Sequence, residues 1–242
     1  MVRYLPSGRA VVIGLALAAL AALAYFGARE TSVFAIRRIE VVGTSPMLAR
    51  QVRAALQPLD GESLLKLHAG EVSRLATALP QIESASYDRS FPNTLRVRVE
   101  AEQPLAILRR GNEWWLVSRR GRVMARLTPR RSAALPRIWV TKQIDIALGG
   151  TLAGGGGSEE IGALLPLRAA GFRSGVETVR IAKGQVTYVL RGGLELRVGT
   201  MDNLTLKLAV ARQILRQTAV TGYLDVSVPQ RPVASTNHQV SG

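Results

Sequence analysis

The stretch FAIRRIEVVGTSPMLARQVRAALQP, residues 34–58, decides the fold of the first half of this chain. FAIRRIEVVG has the composition of a strand and ends at Gly43. Ser45 is a helix N-cap candidate and Pro46 sits at the first helical position, where its missing N–H costs nothing. Leu48, Val52, Ala55 and Leu56 then recur at helical spacing. Working outward, Val72, Leu75, Ala76 and Leu79 repeat that spacing and predict a second helix stopped by Pro80. QIESASYDRS, a Phe91-Pro92-Asn93 turn and TLRVRVEAEQP follow, with Leu95, Val97 and Val99 alternating against Arg96, Arg98 and Glu100. That period of two marks a strand with one buried face. The order is strand, helix, helix, strand, strand. So small a two-layer module has no room for an enzyme cleft and points towards binding.

Upstream, Ala10–Ala28 carries no charge and is flanked by Arg9 and Arg29. Nineteen helical residues extend ~28 Å, close to the ~30 Å hydrocarbon core of a bilayer. Arg3 and Arg9, Val11–Leu20 and Ala22-Leu23-Ala24 also fit the three regions of a cleaved signal peptide. The run continues through Tyr25 and Phe26, suited to a membrane interface, which favours a retained transmembrane helix over 10–28. The expected organisation is a cytoplasmic tail over 1–9, this helix, a first module over 33–103, a second domain over 104–234 and a flexible tail over 235–242.

The chain has 242 residues, no cysteine and a net charge of +15. A disulfide framework, a thiolate zinc site and a cysteine nucleophile are therefore excluded. His68 and His238 are the only histidines, too few for an ordinary metal centre. Asp225 and Glu195 read as surface groups, and no Ser/His/Asp set accompanies them. The expectation is a non-enzymatic protein without a cofactor. The charge is concentrated in 104–137, which holds nine arginines against Glu113 alone. Arg109, Arg110, Arg119, Arg120, Arg122 and Arg126 form a candidate patch for an anionic surface, with Arg130, Arg131 and Arg137 nearby. A solvated hairpin explains the same cluster. No nucleic-acid motif or aromatic stacking series accompanies it.

Residues 105–140 predict a β meander: PLAILRR, EWWLVS, RVMARL and a closing ALPRIWV, with Ala106, Ile107, Leu108, Trp114 and Leu116 as its buried face. Gly149–Gly157 holds six glycines in nine positions and predicts a flexible loop; no Lys-Ser/Thr follows to make it a phosphate loop. SEEIGALLPLRAAGF predicts a helix capped by Ser158 and kinked at Pro166. Three short strands, ETVRIAK, QVTYVLRG and LELRVGT, precede a helix capped by Asp202 with a stripe of Leu204, Leu208, Ala211 and Leu215. GYLDVSVPQRPV is the last expected element, a strand broken by Pro229 and Pro232. This second domain reads as α+β on an antiparallel sheet.

Several of these stretches together resemble the FtsQ/DivIB family of bacterial cell-division proteins. They are the short tail and single apolar segment, the IEVVG strand, FPNTLRVRVEAEQPLA with the following WWLVSRRGRV hairpin, Leu135-Pro136 before a strand, and the closing GLELRVG, LTLKLAVARQIL and YLDVSVPQRP. The resemblance implies a POTRA-type βααββ module followed by the family's β domain. It also implies a divisome scaffold, single-pass in the plasma membrane at the division septum with its C-terminal domains outside the cytoplasm. The partners implied are FtsB/DivIC-like and FtsL-like division proteins, with other divisome components at the POTRA module. An FtsB-type partner is expected to add a strand to the exposed edge of the last strand, here Tyr223, Leu224, Asp225, Val226, Ser227 and Val228. Arg231 and Arg212 are the candidates to receive an acidic partner. A POTRA-containing secretion or assembly protein and a basic, membrane-surface-binding ectodomain are the alternatives. The former carries tandem modules and a many-stranded barrel, for which the chain has no room.

Overall fold

A computed structural model describes residues 11–20, 27, 32–128, 135–140, 145–152, 157–172 and 175–235. Residues 10, 21–26 and 28 of the expected membrane helix, together with Arg3, Arg9, Arg29, Arg130, Arg131, glycines 154–156 and the tail from 236, His238 included, lie outside the described residues. Residues 11–20 are helical and exposed. Among the described residues no helix is long and apolar enough to cross a membrane. The chain divides into two compact units, Met1–Ala101 and Glu102–Gly242.

The folded part of the first unit is β1 (Arg38–Val42), α1 (Pro46–Ala55), α2 (Ala69–Thr77), β2 (Ile82–Ser90) and β3 (Thr94–Ala101). The sheet order is β1-β3-β2, with β1 parallel and β2 antiparallel to β3. Two strands made parallel need a crossover, and α1 and α2 supply it. Ser45 caps α1 by accepting from the Leu48 N–H at 3.4 Å, with Pro46 in the first turn, as expected. α2 ends at Thr77, three residues short of Pro80, with Ala78 as its C-cap. Leu95, Val97 and Val99 are buried against Val52, Leu56 and Val72, while Arg96 and Arg98 face outward. Gly43 is obligatory where β1 ends. Its φ is +91°, and a Cβ there would stand 2.5 Å from the Val99 carbonyl oxygen.

The second unit is one nine-stranded sheet in the order β12-β11-β10-β9-β8-β7-β4-β5-β6. Its elements are β4 (Pro104–Arg110), β5 (Glu113–Ser118), β6 (Val123–Leu127), β7 (Arg137–Trp139), α3 (Ser158–Leu164), β8 (Val176–Ala182), β9 (Gln185–Leu190), β10 (Glu195–Gly199), α4 (Leu204–Gln217), β11 (Tyr223–Asp225) and β12 (Val233–Ser235). The fold class is α+β, but the meander is shorter than expected. β7 does not continue it past β6; it lies on the other side of β4, parallel to both β4 and β8. The buried face of the hairpin is also displaced by one residue. Trp115 and Val117 join Ala106 and Leu108 in the core, whereas Trp114 and Leu116 lie on the opposite, partly exposed face. Trp114 stands across from Arg109, whose guanidinium lies 4.9 Å from that ring and 4.2 Å from Trp139. Stacking on a cation gives the outward indole a partner that the core does not supply.

Two expected caps are replaced. α3 begins at Ser158 itself, behind Gly157, and α4 begins behind Asn203 in a left-handed conformation; neither cap residue makes a side-chain bond. Pro166 turns the end of α3 into a 3-10 turn, Leu165–Leu167. The start of the glycine-rich stretch is pinned rather than free. Gly149 donates to the Val123 carbonyl at 2.8 Å, the Val123 N–H donates to Gly150, and Leu152 is buried. The α3 carbonyl of Ala163 is bonded by the buried Tyr188 hydroxyl at 2.7 Å, and burial pushes that phenol far above its ordinary range.

Candidate partner-binding edge

The C-terminal strands are assembled around Leu224 and Val226, both fully buried in the core of the second unit. After α4 the chain enters β11 parallel to β10, pairing Glu195 with Tyr223, Leu196 with Leu224 and Arg197 with Asp225. The Arg197 guanidinium lies 4.2 Å above the Tyr223 ring. It also bonds Glu195, which Arg180 engages from β8 at 2.8 Å. Hydrogen bonding from Arg197, with help from Arg180, holds the Glu195 carboxyl below its usual range. Gly199, at the end of β10, lets the chain that follows β11 pass close, since a Cβ there would stand 2.8 Å from the Ser227 Cβ.

The strand then ends earlier than the sequence suggested. Asp225 Oδ1 accepts from the Ser227 N–H at 2.8 Å, which bends the backbone. Arg231 N–H donates to the Val228 carbonyl at 2.9 Å, closing a four-residue turn with Pro229 at its second position. Pro229 is thus a turn former, and Pro232 leads into a further strand. β12 pairs antiparallel with β11 in the register Tyr223–Ser235, Leu224–Ala234, Asp225–Val233. The expected free edge at Tyr223–Val228 is therefore occupied over Tyr223–Asp225. Ser235, assigned to the flexible tail, belongs to β12, and among the described residues β12 is the outermost strand on this side of the sheet.

Backbone alternation fixes what that outer strand presents. Glu195 N–H donates to the Gly222 carbonyl and Val226 N–H to the Arg197 carbonyl, so residues 222, 224 and 226 direct their polar groups at β10. Tyr223 and Asp225 therefore direct theirs at β12, where they meet Ser235 and Val233. Ala234, between those two, points its N–H and C=O away from β11. Val233 and Ala234 are exposed. The short edge thus offers one outward donor and acceptor at Ala234. Val228 is exposed at 52%, and Arg231 is exposed beside it in the turn.

The other expected residues are distributed elsewhere. Arg212, half-buried on α4, lines a groove with Ala169, Ala170, Thr205, Gln213 and Arg216, a lining that includes nothing from 223–231. The arginine cluster is split. Arg110 and Arg126 both bridge Glu113 at 2.9 Å, while Arg109 stacks on Trp114 on the opposite face of the hairpin. Arg119, Arg120 and Arg122 surround the turn at the other end of β5, about 17–20 Å away for a six-residue strand. There Arg119 bonds Gln103 and Arg122 bonds the Gly149 carbonyl. The six thus gather at the two ends of the β4–β5–β6 hairpin. Among the described residues no group of three acidic or histidine side chains could hold a metal ion, and His68 is exposed at the start of α2. Sequence reasoning missed β12, Val233 and Ala234. The available sign was the proline at the second position of a turn between two short β-prone runs.

Residues 34–100 match the family described as POTRA domain, FtsQ-type, and residues 106–227 match Cell division protein FtsQ/DivIB, C-terminal. The chain is 26% identical over 235 residues to the cell division protein FtsQ of Streptomyces venezuelae, covering 96% of this chain and 85% of the relative. Against the FtsQ of Streptomyces coelicolor the identity is 23% over 219 residues, 83% of this chain and 77% of that one. The FtsQ of Agrobacterium fabrum is 30% identical over 121 residues, 50% of this chain and 38% of that protein. With one family covering the βααββ module and the other half of the whole chain, this protein belongs to the FtsQ/DivIB family of cell-division proteins.

Proposed function

We propose that this chain is a membrane-anchored scaffold of the division septum, which captures an FtsB/DivIC-type partner by strand addition. The partner strand pairs with β12, and β11 acts as the backing strand that holds β12 in place. FtsL-type and other division proteins join through that partner and through the POTRA module. The observation that carries this reading is the position of β12, outermost in the nine-stranded sheet, with the polar groups of Ala234 directed away from it. An edge of this kind supplies main-chain hydrogen bonds, and neighbouring side chains supply selectivity. The exposure of Arg231, just before β12, supports its meeting an acidic side chain of the partner. The uncharged run over 10–28, with its short basic tail, supports a single-pass anchor with the N-terminus cytoplasmic and the folded units outside.

Site-directed photocrosslinking tests the docking. A photoreactive residue in place of Ala234 is expected to trap the FtsB/DivIC-type partner, and one in place of Leu127, on the opposite sheet edge, to trap none. Crosslinking at Leu127 with silence at Ala234 would overturn the assignment.

A further inference from the structure

The end of the POTRA unit where the chain enters carries an apolar cluster that its fold leaves in solvent. Val33 is 57% and Phe91 55% exposed. The Phe34 and Phe91 rings meet edge to face, 5.7 Å apart at 87°. The cluster is held from both sides. Leu64 N–H donates to the Phe34 carbonyl at 2.8 Å, and Arg37 N–H donates to the Asn93 carbonyl at 2.9 Å. The Phe91-Pro92-Asn93 turn is thereby fixed against the incoming chain. An exposed ring on a rigid turn, packed against a half-buried one on the incoming chain next to the exposed Val33, is costly to leave in water unless something covers it.

The position of this cluster in the chain says what lies nearby. Only five steps separate Ala28, the end of the uncharged run, from Val33. Fully extended, those steps reach no more than about 18 Å, and the 3-10 turn at Ser32–Phe34 shortens the reach. We infer that Val33, Phe34 and Phe91 seat in the lipid interface of the membrane that anchors the chain, and so orient the POTRA unit on the bilayer. This rests on the anchor reading above. The charges around the cluster are mixed, with Arg37 and Arg38 against Asp60 and Glu62, all exposed. Apolar contact therefore drives the docking, without selection for anionic lipid. The tether makes it an intramolecular event, so a small patch suffices.

The absence of cysteine from the sequence makes the test clean. Phe91→Cys and, separately, Val33→Cys each give the full chain one site for an environment-sensitive fluorophore. Met47→Cys is the reference, exposed at the start of α1 beyond the far end of β1. In phosphatidylcholine vesicles, the labels at 91 and 33 are expected to shift to the blue and lose intensity to a lipid-borne quencher, unchanged by high salt. The label at 47 is expected to stay water-like. If the chain floats with the vesicles but 91 and 33 behave like 47, the docking is wrong and the anchor stands. A chain that does not float with vesicles overturns the anchor, and the docking with it.

Discussion

Replacing Ala234 with proline separates partner binding from folding at a single atom. The outward N–H of Ala234 is unused within the sheet, because Val233 and Ser235 make the bonds to β11. Proline removes that N–H while its fixed φ remains tolerable on an edge strand, and Val233 before it is already extended. Removing one member of an interface hydrogen bond leaves a buried partner carbonyl without a donor, which costs about 1–3 kcal/mol. We therefore expect a loss of about 1–3 kcal/mol, an affinity weaker by about 5- to 150-fold. Calorimetric titration of the FtsB/DivIC-type partner into the protein reads this directly, and thermal unfolding should show little change. Val233→Pro is the contrast. It removes a donor aimed at β11, so it should free β12 and lower the unfolding temperature as well. An Ala234→Pro protein that folds normally and keeps its affinity within about twofold would refute strand addition at this edge.

Three further outcomes follow from the packing. Tyr188→Phe leaves the Ala163 carbonyl without its buried donor and should cost about 1–3 kcal/mol in chemical unfolding of the second unit. Gly43→Ala forces a side chain into a left-handed conformation and onto the Val99 oxygen. A loss of about 1–3 kcal/mol from backbone strain alone should appear in the unfolding of the POTRA unit. Glu195 has its carboxyl pKa depressed by Arg197 and Arg180, so its contribution is present above the unfolded value and is lost as pH falls through the folded one. The stability gap between the natural protein and Glu195→Gln should therefore exist near neutrality and close in acid. Solvent screening of this partly exposed group keeps the gap below about 1 kcal/mol.

The POTRA unit was legible because its boundaries are written locally. Ser45 and Pro46 start α1, Gly43 ends β1, and the alternation from Leu95 to Val99 needs no distant partner to be recognised. The second unit was less legible wherever a short strand depends on a remote one. β7 has three residues, and nothing within them says that they pair in parallel with β4 and β8. The adjacent tryptophans of EWWLVS fit either phase; in the structure Trp115 joins the core and Trp114 lies outward against Arg109. At the candidate site, the prolines were recognised as interrupting a strand. Their consequence depends on Asp225 bonding Ser227 and on a turn tight enough to bring Val233 back to Asp225. The outer edge of the sheet lies one strand further out for that reason.

Amide hydrogen exchange, resolved by residue and measured with and without the FtsB/DivIC-type partner, tests the central claim most directly. Val233 and Ser235 should be protected already in the free protein, since their N–H groups face β11. Ala234 should exchange freely alone and become protected when the partner binds. Protection that appears elsewhere while Ala234 continues to exchange would place the partner on another surface and contradict the account.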